Sequence, residues 1–212
     1  MNANERLVKN LVREGIISSP EVEHAMLSVD RADFLPESKR GDAYVDHPLP
    51  IGSGQTISAP HMVAMMAEAV RASRGDRILE IGGGSGYHAA VISRLIGDEG
   101  HMVSVEKYES LAEKEKRNLD RAGIDNVKVV VGDGSVGYPE EAPYNRIYYT
   151  CAAPKVPDMV LDQLSDDGLV LAVVGPARGT QRLVRIWLES GEKKEEMLTY
   201  CIFVPLVGEK GY

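Results

Sequence analysis

Cysteine is scarce in this chain of 212 residues, which carries only Cys151 and Cys201. Two thiols cannot build a disulfide framework or a paired-cysteine metal site. Both lie in apolar, strand-like surroundings, where a buried thiol behaves as a small hydrophobe. Long hydrophobic runs are missing too, and no apolar stretch approaches the roughly 20 residues needed to cross a bilayer. The first segment carries Glu5, Arg6, Lys9, Arg13 and Glu14, so it lacks the apolar core of a secretory signal. These absences point to the cytoplasm, with no membrane partner. A cationic surface is also lacking. The net charge of -8 repels phosphate backbones, so a nucleic-acid partner would need a local basic patch. Lysines and arginines instead alternate with acids, as in Glu113 to Arg117 (EKEKR), a run that reads as a solvated helix face. No nucleic-acid partner is expected. His24, His47, His88 and His101 are dispersed without metal-ligand spacing, so they read as structural and no metal is expected.

What is present fits a single globular domain. Hydrophobic residues make up 43% and charged residues 26%, ordinary values in a chain long enough to bury a full core. Leu7, Val8, Leu11 and Val12 recur at helical spacing before Gly15, and Ser19-Pro20 opens a second helix with Val22, Met26 and Val29 on one face. From Arg31 to Gly54 the periodicity disappears, and a loop region this long inside a compact domain is usually functional. Ser58 to Arg71 reads as helix again. After Gly75-Asp76 short strands alternate with helices. The strands are 77–81, 101–106, 127–131, 146–150 and 168–174; the helices are 86–96, 109–121 and 156–164. This rhythm means a parallel sheet covered on both faces, a doubly wound, Rossmann-like α/β fold. Residues 181–189 and 195–204 read as two consecutive strands, an antiparallel pair at the edge.

The strongest local signal is EIGGGSG, Glu80 to Gly86, set between the first strand of that series and its helix. Gly82, Gly84 and Gly86 let the backbone turn sharply and let a ligand approach amides at a helix N-terminus. A dinucleotide fingerprint beginning at Gly82 would need glycine at position 87, where this chain has Tyr87. That disfavours an NAD-dependent oxidoreductase. The G-x-G-x-G spacing, led by an acid two residues earlier, resembles the first motif of S-adenosylmethionine-dependent methyltransferases. Glu106 closes the second strand, where a carboxylate can accept both ribose hydroxyls, and Asp133-Gly134 follows the third, near the expected adenine pocket. Glu80, Glu106 and Asp133 are expected to project at the carboxyl ends of their strands, where ligands of open α/β sheets collect. Their field would suit a sulfonium cation better than the two phosphates of NAD.

One further stretch is more specific: PIGSGQTISAPHMV, Pro50 to Val63. It is accompanied by GIISSPEV from Gly15, VDRADFLP from Val29, VVVGDGSVGYPEEAPYNRI from Val129, CAAPKVP from Cys151 and FVPL from Phe203. With these segments in order, the chain resembles the protein-L-isoaspartate O-methyltransferases over nearly its whole length. The resemblance implies methylation of the free carboxylate of L-isoaspartyl residues in damaged proteins and peptides. S-adenosyl-L-methionine would be the cofactor and S-adenosyl-L-homocysteine the product. It implies Ser58 and His61 as catalytic residues. The cofactor-binding set it implies is Glu80, Gly82, Gly84, Ser85, Gly86, Glu106, Asp133 and Gly134, with the loop of Ile51, Gly52, Ser53 and Gly54 as a lid. On this reading residues 1–57 form an N-terminal helical and substrate-loop region. Residues 58–180 form the nucleotide-binding core and 181–212 a C-terminal strand pair, all within one domain expected to act as a monomer. Some members place a threonine directly after VPL and use it near the cofactor. Here that position is Val207, so the site is not extended to the tail.

Without the resemblance, Ser58 reads most simply as the N-cap of the helix that begins Ala59-Pro60-His61. The two roles are compatible, because an anionic carboxylate is also favoured at a helix N-terminus. His61 is by itself an ordinary surface or packed imidazole. The alternative function is an S-adenosylmethionine-dependent methyltransferase acting on a small molecule, and a non-catalytic binding module is a third reading. Thr150-Cys151-Ala152-Ala153-Pro154 stands where nucleic-acid amino-methyltransferases often carry an Asn/Asp-Pro-Pro-aromatic motif.

Overall fold

A computed structural model describes all residues from Met1 to Tyr212. Helix α1 (Ala3–Arg13) starts at a reciprocal cap, in which Asn2 Oδ1 accepts from the Glu5 amide and the Glu5 carboxylate accepts from the Asn2 amide. Such a box satisfies two amide donors that have no partner inside the helix. Gly15 ends this segment at φ +73°, a conformation that costs a residue with a Cβ. Helix α2 (Pro20–Ser28) is capped by the Ser19 hydroxyl, with Pro20 in its first turn, as the sequence predicts. The aperiodic stretch that follows is ordered by two short 3-10 turns, Arg31–Phe34 and Glu37–Asp42, and by a hairpin of β1 (Leu49–Gly52) and β2 (Gln55–Ile57).

The body of the molecule is one seven-stranded sheet. Its strands are β3 (Arg77–Ile81), β4 (His101–Glu106), β5 (Val127–Val131), β6 (Tyr144–Ala153), β7 (Leu164–Val174), β8 (Gln181–Glu189) and β9 (Glu192–Cys201). The order is β5-β4-β3-β6-β7-β8-β9, parallel from β5 to β7 and antiparallel for the last two. Helices α3 (Pro60–Val70), α4 (Tyr87–Ile96), α5 (Glu109–Arg121) and the single turn α6 (Asp158–Leu161) complete it. Two apolar cores flank the sheet. Neighbouring residues of one strand serve opposite cores, Ile78 and Tyr148 on one side and Leu79 and Tyr149 on the other. Each fully buried aliphatic side chain contributes roughly 1.5–3 kcal/mol.

Three elements depart from expectation. The helix expected over 156–164 shrinks to one turn. Pro157 is itself in extended backbone and holds the helix start back to Asp158, and the buried Gln163 side chain draws the chain out by bonding Val136 O, Met159 O and the Tyr138 amide. Strand β7 therefore begins at Leu164, its outer part disguised by the exposed Asp166 and Asp167. Strand β9 stops at Cys201, and the tail crosses back over β6. There Ala152 donates to Val204 O and accepts from the Leu206 amide, both at 2.8 Å.

Candidate active site

Strand order reverses between β3 and β6, and the crevice at their carboxyl ends is where an open α/β sheet takes a ligand. The Gly82–Gly86 loop leaves β3 at this point with Gly82 at φ +97°, Gly84 at +60° and Gly86 at +83°. A Cβ on Gly82 would stand 2.6 Å from Thr150 Oγ1, so glycine here is needed for space as well as for backbone angle. The Thr150 hydroxyl donates to the Gly82 and Ile81 carbonyls and ties β6 to the loop. Glu106, at the end of β4, is held at both oxygens. Gly84 N–H donates to Oε2 and Tyr108 N–H to Oε1, each at 2.8 Å. Gly82, Gly84, Glu106, Gly134, Thr150 and Cys151 share the walls of one cavity of about 60 Å³. Burial pushes the Cys151 thiol far up, so it is an apolar wall rather than a nucleophile.

Glu80 does not reach that cavity. It is fully buried beneath the loop, where Ser104 Oγ donates to Oε2 at 2.6 Å and Tyr148 OH to Oε1 at 2.7 Å. Burial outweighs both hydroxyls and pushes its carboxyl up to about 8. Beside it lies Glu115 from α5, also fully buried, with neither carboxyl oxygen partnered. Burial, with Glu80 nearby, raises Glu115 well above the ordinary carboxyl range. The EKEKR run is therefore not a uniformly solvated face, because Glu115 shares the inward stripe of Leu111 and Leu119. Gly83 rests on this acid, and a Cβ there would collide with the Glu115 carboxyl and the Ser104 hydroxyl.

On the other side of the crevice stands the β1–β2 hairpin. Ile51 touches the loop: a Cβ on Gly84 would lie 3.4 Å from Ile51 Cδ1. Lys114 Nζ donates to Ile51 O at 3.3 Å, and Ser53 Oγ lies 3.4 Å from Ser110 Oγ. The hairpin, including Gly52 and Gly54, is thus fastened to α5. Ser58 follows β2 but is not a helix cap. Ala59 is the N-cap of α3 and has no side chain to cap it; the distant Asp46 takes the first-turn His61 amide instead. Pro60 needs its first-turn place, and Ala59 before it is pushed to extended backbone, which moves the helix start past Ser58. Ser58, His61, Thr56 and Thr150 line a larger cavity of about 610 Å³ together with Tyr200 to Val204. Asp46 accepts from the His61 amide and lies 2.9 Å from its Nδ1, so Nδ1 carries the proton and the ring is oriented.

The sequence reading missed several residues. Arg31 is fully buried and donates to Ala43 O, His47 O and Ser58 O, so one guanidinium pins the whole substrate-side loop. In the sequence Arg31 stands between Asp30 and Ala32, so nothing local marked it for burial. The tail also belongs to the site, because Val204 to Val207 line the glycine-loop cavity. Asp133, expected at an adenine pocket, is bonded to that tail. Its Oδ2 accepts from the Glu209 amide at 2.8 Å and its Oδ1 from Ser135 Oγ at 2.6 Å, leaving Gly134 on the wall. Burial alone would raise the Asp133 carboxyl, but these bonds and Lys107 outweigh it and hold it below the usual range. Ser85 and Gly86 close the loop behind the wall, with Asn118 Nδ2 donating to Ser85 O at 2.9 Å.

Residues 2–211 match the family model described as Protein-L-isoaspartate(D-aspartate) O-methyltransferase. The chain is 48% identical to a protein-L-isoaspartate O-methyltransferase from Methanopyrus kandleri, over 99% of this chain and 93% of that one. It is 49% identical to the enzyme of the same name from Hyperthermus butylicus, over 99% and 90%. A crystal structure from Plasmodium falciparum, assigned as a protein-L-isoaspartate O-methyltransferase and solved with S-adenosyl-L-homocysteine, superposes with a TM-score of 0.87. It is 27% identical, and the match covers 98% of this chain and 99% of that one. No helix is long and apolar enough to cross a membrane.

Proposed function

The chain belongs to the protein-L-isoaspartate(D-aspartate) O-methyltransferase family, and on that premise we propose how its site works. The protein transfers the methyl group of S-adenosyl-L-methionine to the free carboxylate of L-isoaspartyl residues in damaged proteins. One observation carries the reading. The glycine-loop cavity and the cavity holding Ser58 share Thr56, Thr150 and Val204, so cofactor and substrate sides meet at one wall. The residues fit the cofactor. The cradle has no Cβ at Gly82 or Gly84, Glu106 offers lone pairs for two ribose hydroxyls, and its charge suits a sulfonium.

S-adenosyl-L-methionine supplies a methyl already activated on sulfur. The substrate carboxylate is ionised at neutral pH, so no base has to make the nucleophile. Its oxygen forms the new bond to carbon as the carbon–sulfur bond breaks, leaving a methyl ester and S-adenosyl-L-homocysteine. What the chain must do is position the oxygen in line and keep water out. Ser58 orients the carboxylate by its hydroxyl, and His61, held by Asp46, borders the same cavity. The hairpin from Ile51 to Gly54 acts as the lid. Glu80 supports the loop from below, and Asp133 holds the tail that closes the cavity. The protein acts as a monomer, and its two free thiols suit the cytoplasm.

The test is transfer of radiolabelled methyl to an isoaspartyl peptide and to its normal aspartyl twin. Label is expected only in the isoaspartyl peptide. Equal labelling of both peptides, or of neither while a small acid is methylated, overturns the reading.

A further inference from the structure

Cationic side chains that the sequence scatters converge on one cavity outside the lid. Lys114, Arg117 and Arg121 from α5 meet Arg40 from the second 3-10 turn around a space of about 250 Å³. No acidic side chain lines it, although acids outnumber bases in the chain by 32 to 24. The only ion pair among the four is the exposed Arg117–Glu113 contact at 3.8 Å, a surface pair of little strength. Two of the cations are held in place by uncharged acceptors: Arg121 donates to Asp33 O at 3.1 Å and Lys114 to Ile51 O at 3.3 Å. Their charge is therefore fixed in position but not neutralised. Gly84 and Ser85 of the glycine loop form the inner wall.

We propose that this cavity binds a pair of linked phosphoryl groups and that occupancy is felt at the methyl-transfer site through Lys114 and the hairpin. Lys114 and Arg121 lie seven residues apart on one helix face, a rise of about 10 Å, which is longer than one phosphate and suits two. Arginine forks bind phosphoryl oxygens in bidentate fashion, and three of the four cations are arginines. An anion drawn to Lys114 competes with the Ile51 carbonyl for the same ammonium. It thereby changes how firmly the hairpin is fastened. The site shares only Gly84 with the glycine-loop cavity, whose acid, Glu106, would repel such a ligand.

The experiment is isothermal titration of inorganic pyrophosphate into the full chain at constant ionic strength, repeated with ADP to present the same linkage on a nucleotide. The comparison protein is Arg40→Ser/Arg117→Ser, chosen because both side chains are exposed and the fold does not depend on them. Saturable one-to-one binding that weakens at least tenfold in the double variant is expected for both ligands. Pyrophosphate should also shift the KM for S-adenosyl-L-methionine at least twofold in the natural chain and not in the variant, whose basal activity stays unchanged. No saturable heat, equal binding by the variant, or displacement of S-adenosyl-L-homocysteine by pyrophosphate in both proteins overturns the proposal. Binding of a polyglutamate peptide in place of pyrophosphate overturns it too.

Discussion

On the cavity side of the Gly82–Gly86 loop, Glu106 accepts two backbone amides; on the far side, Glu80 meets two hydroxyls and Glu115 meets nothing. All three are glutamates within one short stretch of fold, yet they face opposite demands. Amides aimed at a carboxylate favour its charged form, whereas burial without such donors favours the proton. Glu80 is pushed up to about 8 and Glu115 is raised as well, both by burial first. The loop thus lies between an acid whose two oxygens accept backbone amides and a buried pair whose surroundings favour the protonated form. An acid near a glycine loop therefore takes its role from its donors and its burial, and proximity to the loop does not decide it.

The largest expected effect breaks the lower face. Gly83→Val drives its side chain into Glu115 and Ser104 and should destabilise the protein by about 3 kcal/mol, the upper range for overpacking. Thermal melts check this. Adding Glu115→Ala should restore much of the loss, and a double variant no better than the single one would show that the contact does not limit position 83. Next comes the upper face. Glu106→Ala should weaken S-adenosyl-L-homocysteine binding by about 2 kcal/mol, the usual loss for a charge-assisted hydrogen bond. Calorimetry on a folded variant decides it, and unchanged affinity removes Glu106 from the site.

A smaller effect lies across the crevice. Because Ser58 is not a cap, Ser58→Ala should leave the melting temperature nearly unchanged while lowering kcat about tenfold, equivalent to about 1.4 kcal/mol. Ser58→Asp should be worse than Ala, since its charge repels the substrate carboxylate. Higher turnover by Asp than by Ala would refute the orienting role.

The smallest effect sharpens the charge-state contrast. A carboxyl raised in the folded state contributes stability that is present below the ordinary carboxyl pKa and is lost as pH rises through the folded value. For Glu80 that window runs from about 4.5 to about 8. Glu115→Gln removes one of the two raised carboxyls, so its melting temperature should fall less steeply than that of the natural chain as pH rises from 5 to 9. Parallel pH dependence in the two proteins would mean that Glu115 holds no proton.

Much of the fold was legible because its signals are local. RILEI, HMVSVE and VKVVV are short apolar runs bounded by turn residues, and Ser19-Pro20 carries its own capping chemistry. The glycine spacing and Glu106 were readable on the same ground, since a strand end, a turn and a helix start are neighbours in sequence. Glu115 was half legible: four residues from Leu111 and four from Leu119, it falls on the buried stripe, but alternating charges around it suggested a solvated face. Ser58 was misread as a cap because Pro60 displaces the helix start by a single residue.

By itself the sequence determined the alternating elements, the parallel sheet and the turn that brings glycine amides to a strand end. Those follow from backbone preferences and periodic burial within a few residues. Only the tertiary structure decided that Asp133 holds the tail, that Val204 to Val207 wall the cavity, and that Arg31 pins the Ser58 carbonyl. It also brought Arg40 to the α5 cations. Each of these depends on groups far apart in the chain, whose charge and hydrogen bonding are set by the partners that folding brings within about 3 Å.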